Sequence, residues 1–153
     1  MRVHLVWPGK TRNAHLRALQ DDYFQRLSHF ARCEATELRA NTRAATSPGI
    51  DRESRSISDA LLDDEVTVLL DPAGREWSSE ELARQIQKWE TGGTKAVAFI
   101  VGGPDGVSEE LKVRVDKRWS LSRLTLTHEM ARVLLLEQLY RAYAIIHRLP
   151  YAK

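Results

Sequence analysis

Polar and apolar residues alternate from Arg2 to Trp7, a period of two that predicts a first strand, and Pro8-Gly9 breaks it. The period then lengthens. Leu16, Leu19, Tyr23, Leu27 and Phe30 recur at helical spacing behind Asn13, a residue suited to cap a helix. Cys33–Leu38 reads as a weaker strand, 39–49 as a long mobile loop without periodicity, and Asp51–Leu62 as a helix. Val66–Leu70 is an apolar strand ended by Asp71-Pro72-Ala73-Gly74. Ser78 and Glu81 form a capping box for a helix reaching about Glu90 and stopped by Gly92-Gly93. Ala96–Val101 is the clearest buried strand, Ser108 caps a helix to Val115, and Trp119–Leu121 is a short strand. Thr127 or His128 then opens a long helix to His147, ended by Pro150. Strands alternating with helices predict an α/β fold, a parallel-rich sheet with helices on both faces, in one domain over 1–153.

The last helix departs from the amphipathic pattern. Met130, Val133, Leu134, Leu135, Leu136, Leu139, Tyr140, Tyr143 and Ile146 wrap most of its circumference. It is either a central core helix or one packed on its own sheet and on a second copy of the chain.

At 153 residues, 42% hydrophobic and 29% charged, the chain is long enough for a real core and too apolar for disorder. Its longest apolar runs fall far short of the ~20 residues of a membrane helix, and its start lacks a secretory signal pattern. Cys33 stands alone, so a disulfide or thiolate metal cluster within the chain is ruled out; no HExxH spacing occurs. A cytoplasmic protein that binds neither membrane nor metal is the expectation. The net charge of +2 is uneven: residues 1–60 hold ten Lys/Arg and seven Asp/Glu, 61–118 eight and twelve, and 119–153 five and two. Either solvated charge simply varies, or the two basic ends face an anionic partner.

Ligands of parallel sheets bind beyond the carboxyl ends of the strands, and three loops leave strands there: Leu70–Gly74, Gly102–Gly106 and Leu121–Leu126. The glycine loop is neither a dinucleotide fingerprint nor a phosphate loop. Glu137 and Arg141 are neighbours four apart on the last helix, and His128 and Arg132 repeat that spacing. Trp77 and Trp89 read as packing residues, while Trp119 and Tyr151 offer faces for a nucleobase.

The stretches LLDPAGREWSSEELA, AFIVGGPDGVS, RWSLSRLTLTHEMARVLLLEQLYRAYAI and the tail LPYAK resemble the RlmH family of small SPOUT-class methyltransferases, along essentially the whole chain. The resemblance implies a C-terminal trefoil knot, a homodimer, and methyl transfer from S-adenosylmethionine to N3 of a pseudouridine in a large-subunit (23S) rRNA stem-loop, on the assembled ribosome. It implies a cofactor site at Leu70, Gly102, Gly103 and Leu121, Ser122, Arg123, Leu124, Thr125 and Leu126. Candidates for catalysis or phosphate contact are Glu137, Arg141, Tyr151, His128 and Arg132. Thr127 stands where the family usually has proline and Ala152 where it has histidine, so a tail histidine cannot be the base here. Alternatives are methylation of another RNA such as tRNA, or a non-catalytic ribosome-associated RNA-binding role.

Overall fold

The computed structural model describes residues 1–39 and 47–151. The chain runs β1 (Arg2–Pro8), α1 (Ala14–Leu27), β2 (Arg32–Leu38), α2 (Ser47–Ala60), β3 (Glu65–Glu76), α3 (Ser79–Thr91), β4 (Ala96–Ile100), α4 (Glu109–Arg114), β5 (Lys117–Ser120) and α5 (His128–Ile146). The five strands form one sheet in the order β2-β1-β4-β3-β5. Every neighbouring pair is parallel, as the strand–helix alternation predicts.

Alternation along each strand divides the core in two. Val3, Leu5 and Trp7 of β1, with Val68, Phe99 and Trp119, meet Leu135, Leu136 and Leu139 of α5 and Leu82 and Ile86 of α3. Val6, Leu69, Ala98 and Ile100 meet Ile57 of α2 and Leu111 of α4 on the opposite face. Helix α5 lies against the sheet and packs on both α1 and α3. Three packed sides account for most of its apolar circumference; Met130 and Ile145 remain 39% and 40% exposed.

Local signals place most boundaries. Asn13 accepts from the amides of His15 and Leu16, and Ser78 with Glu81 makes the reciprocal capping box. Ser108 and Thr127 cap α4 and α5. Three expectations change. Strand β3 does not end at Asp71; it shifts register between Leu70 and Arg75 and continues beside β5 to Glu76. Gly74 makes this continuation fit, since a Cβ there would stand 2.6 Å from the backbone of Arg118. Helix α5 ends as expected, at Ile146 with His147 as its C-cap; Arg148 then adopts φ 55°, and the amides of Arg148 and Leu149 return to the carbonyls of Ile145 and Ala144, closing the helix before Pro150. The expected loop over 39–49 lies mostly outside the described residues, and residues 47–49 already belong to α2. Trp119 is 2% exposed, packed on Trp77 and Phe99, and has no face for a nucleobase. Trp89 is buried and Trp77 half-buried, as packing residues.

Candidate functional site

The middle of β3 at residues 69–72, the loop after β4 and the segment after β5 meet at one edge, where they line a cavity of about 380 Å³. Leu70, Gly102, Gly103, Leu121, Ser122, Leu124, Thr125 and Leu126 all line it, with Asp71, Asp105, Lys112 and His128 adding polar groups. The glycine loop is held from behind by α2, where Ser54 Oγ accepts from the amide of Ser108 at 2.8 Å. A Cβ on Gly102 would come within 2.8 Å of Val107 Cγ1, and one on Gly103 within 2.5 Å of Glu53 Oε1. Both contacts are with side chains, which a Cβ would have to push aside; the left-handed residue of the loop is Gly106, φ 85°.

The third wall, 121–126, is irregular but tied. Ser120 Oγ donates to the Ser122 carbonyl at 2.9 Å, and the Leu124 amide donates to Ser122 Oγ at 3.0 Å. Leu124 remains 72% exposed. Arg123 does not line the cavity; its Nε lies 3.6 Å from Glu76 on the continuation of β3.

Helix α5 carries the remaining candidates in two places. At its start, His128 borders the cavity, and burial followed by the charge of Arg132 holds its pKa below the ordinary value. Glu129 accepts from the amides of Arg12 and Asn13, both at 3.0 Å, which holds its carboxyl below the ordinary range. The Arg132 side chain is fully buried. It donates to the carbonyls of Pro8 (2.6 Å) and Gly9 (3.1 Å) and to Thr11 Oγ1 (3.0 Å), and lies over the Trp7 ring. Burial pulls its pKa to about 10. The structure therefore places Arg132 as a clamp on the turn after β1, away from solvent and from any anion outside.

The second group lies further along α5. Glu137 Oε1 accepts from Arg141 Nη2 at 2.6 Å and Nε at 3.1 Å, and from the Tyr151 hydroxyl at 3.2 Å. Gln138 donates to the other oxygen, and Ser79 of α3 holds Gln138. Arg141 lies 4.6 Å over the Tyr151 ring. Burial first, then Tyr23 and Glu137, raise the Tyr151 pKa, so the phenol keeps its proton at neutral pH. Tyr23, whose hydroxyl meets that of Tyr151 at 3.0 Å, was legible only as a core position of α1. Asp71 was hidden in a motif that reads as a turn. Ala152 and Lys153 lie outside the described residues.

None of Glu137, Arg141 and Tyr151 lines the cavity. Glu137 stands nine positions after His128, roughly 13 Å along a helix axis. Among the described residues no group of three or more His, Cys, Asp or Glu is arranged to hold a metal, and no helix is long and apolar enough to cross a membrane.

Fold and cavity define an α/β protein with a cavity at the carboxyl edge of a parallel sheet. The chain belongs to the SPOUT methyltransferase family, whose model, described as "Predicted SPOUT methyltransferase", matches residues 1–152. It is 38% identical over 151 residues to ribosomal RNA large subunit methyltransferase H of Geotalea daltonii, covering 99% of each chain. It is 36% identical over 154 residues to the protein of that name from Porphyromonas gingivalis, covering 99% of this chain and 98% of the other. A probable methylase family protein from Haemophilus influenzae shares the fold at TM-score 0.57 and 12% identity, covering 99% of this chain and 70% of that one.

Proposed function

We propose that this enzyme methylates N3 of a pseudouridine in large-subunit rRNA on the assembled ribosome, with S-adenosylmethionine as donor and a homodimer as the working unit. The observation that carries the reading is the meeting of three segments in one cavity, in a chain whose full-length relatives are named for large-subunit rRNA methylation.

The lining suits an adenosyl sulfonium. Leu70, Leu121, Leu124 and Leu126 give apolar walls, the 102–106 and 121–126 backbones give hydrogen-bonding edges, and Asp71 and Asp105 oppose positive charge. The bound donor supplies an activated methyl group, so the chain need not activate it. Its own tasks are to align the nucleotide and to assist loss of the weakly acidic N3 proton. His128, largely neutral at pH 7 and bordering the cavity, is placed to accept a hydrogen bond or proton. Glu137 is engaged by Arg141, Tyr151 and Gln138 and acts as their orienter. Arg141 then presents a fixed cation to an anion, either a phosphate or a developing imide.

The separation of the two groups along α5 supports the dimer. One chain cannot bring its own Glu137 group onto its own cavity, but a second copy packed near α5 can supply it. We also propose the trefoil knot implied by the resemblance for the segment after β5.

The test is transfer of labelled methyl to intact ribosomes, isolated large subunits, naked 23S rRNA and tRNA, with the product nucleoside identified by mass spectrometry. N3-methylpseudouridine in the large-subunit rRNA is expected. Label found only in tRNA overturns the substrate assignment.

A further inference from the structure

The continuation of β3, the outer face of α3 and the start of β5 enclose a second cleft, of about 440 Å³, that neither the donor cavity nor the Glu137 group uses. Its lining holds five cations, Arg75, Arg84, Lys88, Lys117 and Arg118, with Glu81 as its one acid. Glu81 is already committed, its carboxylate accepting from the Ser78 amide at 2.7 Å in the capping box. Of the cations only Arg118 is paired, to Asp71 at 3.4 Å; the other four make no ion pair with a described residue. Trp77 forms an apolar wall among them. Five cations around one hollow, four of them exposed, make a local positive potential that attracts anions.

The location gives the ligand. Asp71 borders the donor cavity and pairs with Arg118 of the cleft at 3.4 Å, so an ion pair joins the linings of the two hollows. A chain of phosphates that places one nucleotide at the donor cavity runs naturally past this edge. We propose that the cleft binds the phosphodiester backbone of the RNA substrate flanking the target nucleotide, with Arg84, Lys88 and Lys117 as its main contacts; the identity of that RNA rests on the function proposed above. The guanidinium groups of Arg75 and Arg84 suit bidentate contact to phosphate oxygens, and the lysines act as point charges.

The experiment uses the full chain and the variant Arg84→Gln/Lys88→Gln/Lys117→Gln, with Arg84→Glu as a second variant at an exposed position. Binding of a labelled rRNA stem-loop is measured across a salt series, without donor, beside S-adenosylmethionine affinity and methyl transfer to ribosomes. Three lost contacts at ~0.7–0.9 each lower the slope of log affinity against log salt by about two to three. At moderate salt RNA affinity should fall on the order of tenfold, KM for ribosomes should rise in step with kcat held, and donor affinity should stay the same. An unchanged salt slope overturns the proposal, as does wild-type protein that binds no RNA. Variants that lose ribosomes yet bind the naked stem-loop as before also overturn it, assigning the cleft to an acidic protein surface on the particle. If wild type binds RNA through the cleft but methylates no rRNA, the cleft stands and the substrate assignment falls.

Discussion

His128 shows how a single side chain is tuned by its neighbours. Burial and the adjacent Arg132 both disfavour its charged form, and Glu129 only partly opposes them. Its folded-state pKa therefore lies below the ordinary 6.5, and the unfolded chain takes up the proton first as pH falls. Its contribution to stability is complete above pH 6.5 and is lost as pH drops through the lowered value. The ring protons of His128, followed by NMR, should titrate below 6.5; a midpoint at or above that value refutes the neutral-imidazole role. Gly74 is a second residue whose identity is dictated locally. Gly74→Ala drives a methyl into the Arg118 backbone and should cost about 1–3 kcal/mol in denaturant unfolding. Arg132 was not legible, because an arginine in sequence reads as surface. Only the fold shows that the turn after β1 offers two carbonyls and a hydroxyl at its reach.

Among the elements, those with local signals were the legible ones. A cap or a capping box is written within four residues, so α1, α3, α4 and α5 begin where the side chains say. What escaped depends on partners distant in sequence: β3 passes through Asp71-Pro72 because β5, over forty residues later, receives it. The same contrast orders two mutations. Ser78→Ala removes one cap and should cost about 1 kcal/mol. Arg132→Ala strands the Pro8 and Gly9 carbonyls and leaves a void between α5 and β1, so about 3 kcal/mol is expected. Chemical denaturation of both variants checks the order; equal losses would mean that Arg132 does not anchor the turn after β1.

At the scale of the whole molecule, chain position proved a poor guide to charge. A hollow with five cations is built inside 61–118, the stretch with the most acidic balance, because folding gathers Arg75, Arg84, Lys88, Lys117 and Arg118 onto one edge. The cavity at the carboxyl edge was more legible, since its three wall segments follow from strand order, whereas the reach from cavity to Glu137 needed the length of α5. That reach makes assembly testable. Met130→Glu, together with Ile145→Glu, places charge at apolar positions left open on α5. Sedimentation should show monomer with donor affinity kept and methyl transfer lost at least a hundredfold; a fully active monomer sinks the shared site.

The sheet order carries one more consequence, for the chain as it is being made. Strand β4 lies between β1 and β3, so these two have no common partner until residues 96–100 exist. A nascent chain can pair β1 with β2 across α1, but its third strand must wait, apolar and unpaired, through the synthesis of α3. At roughly 5–20 residues per second that interval lasts a few seconds, the period of greatest risk of aggregation. The central strand thus times maturation: β4 joins the β1–β2 pair to β3, and it can do so only after about two thirds of the chain has been translated.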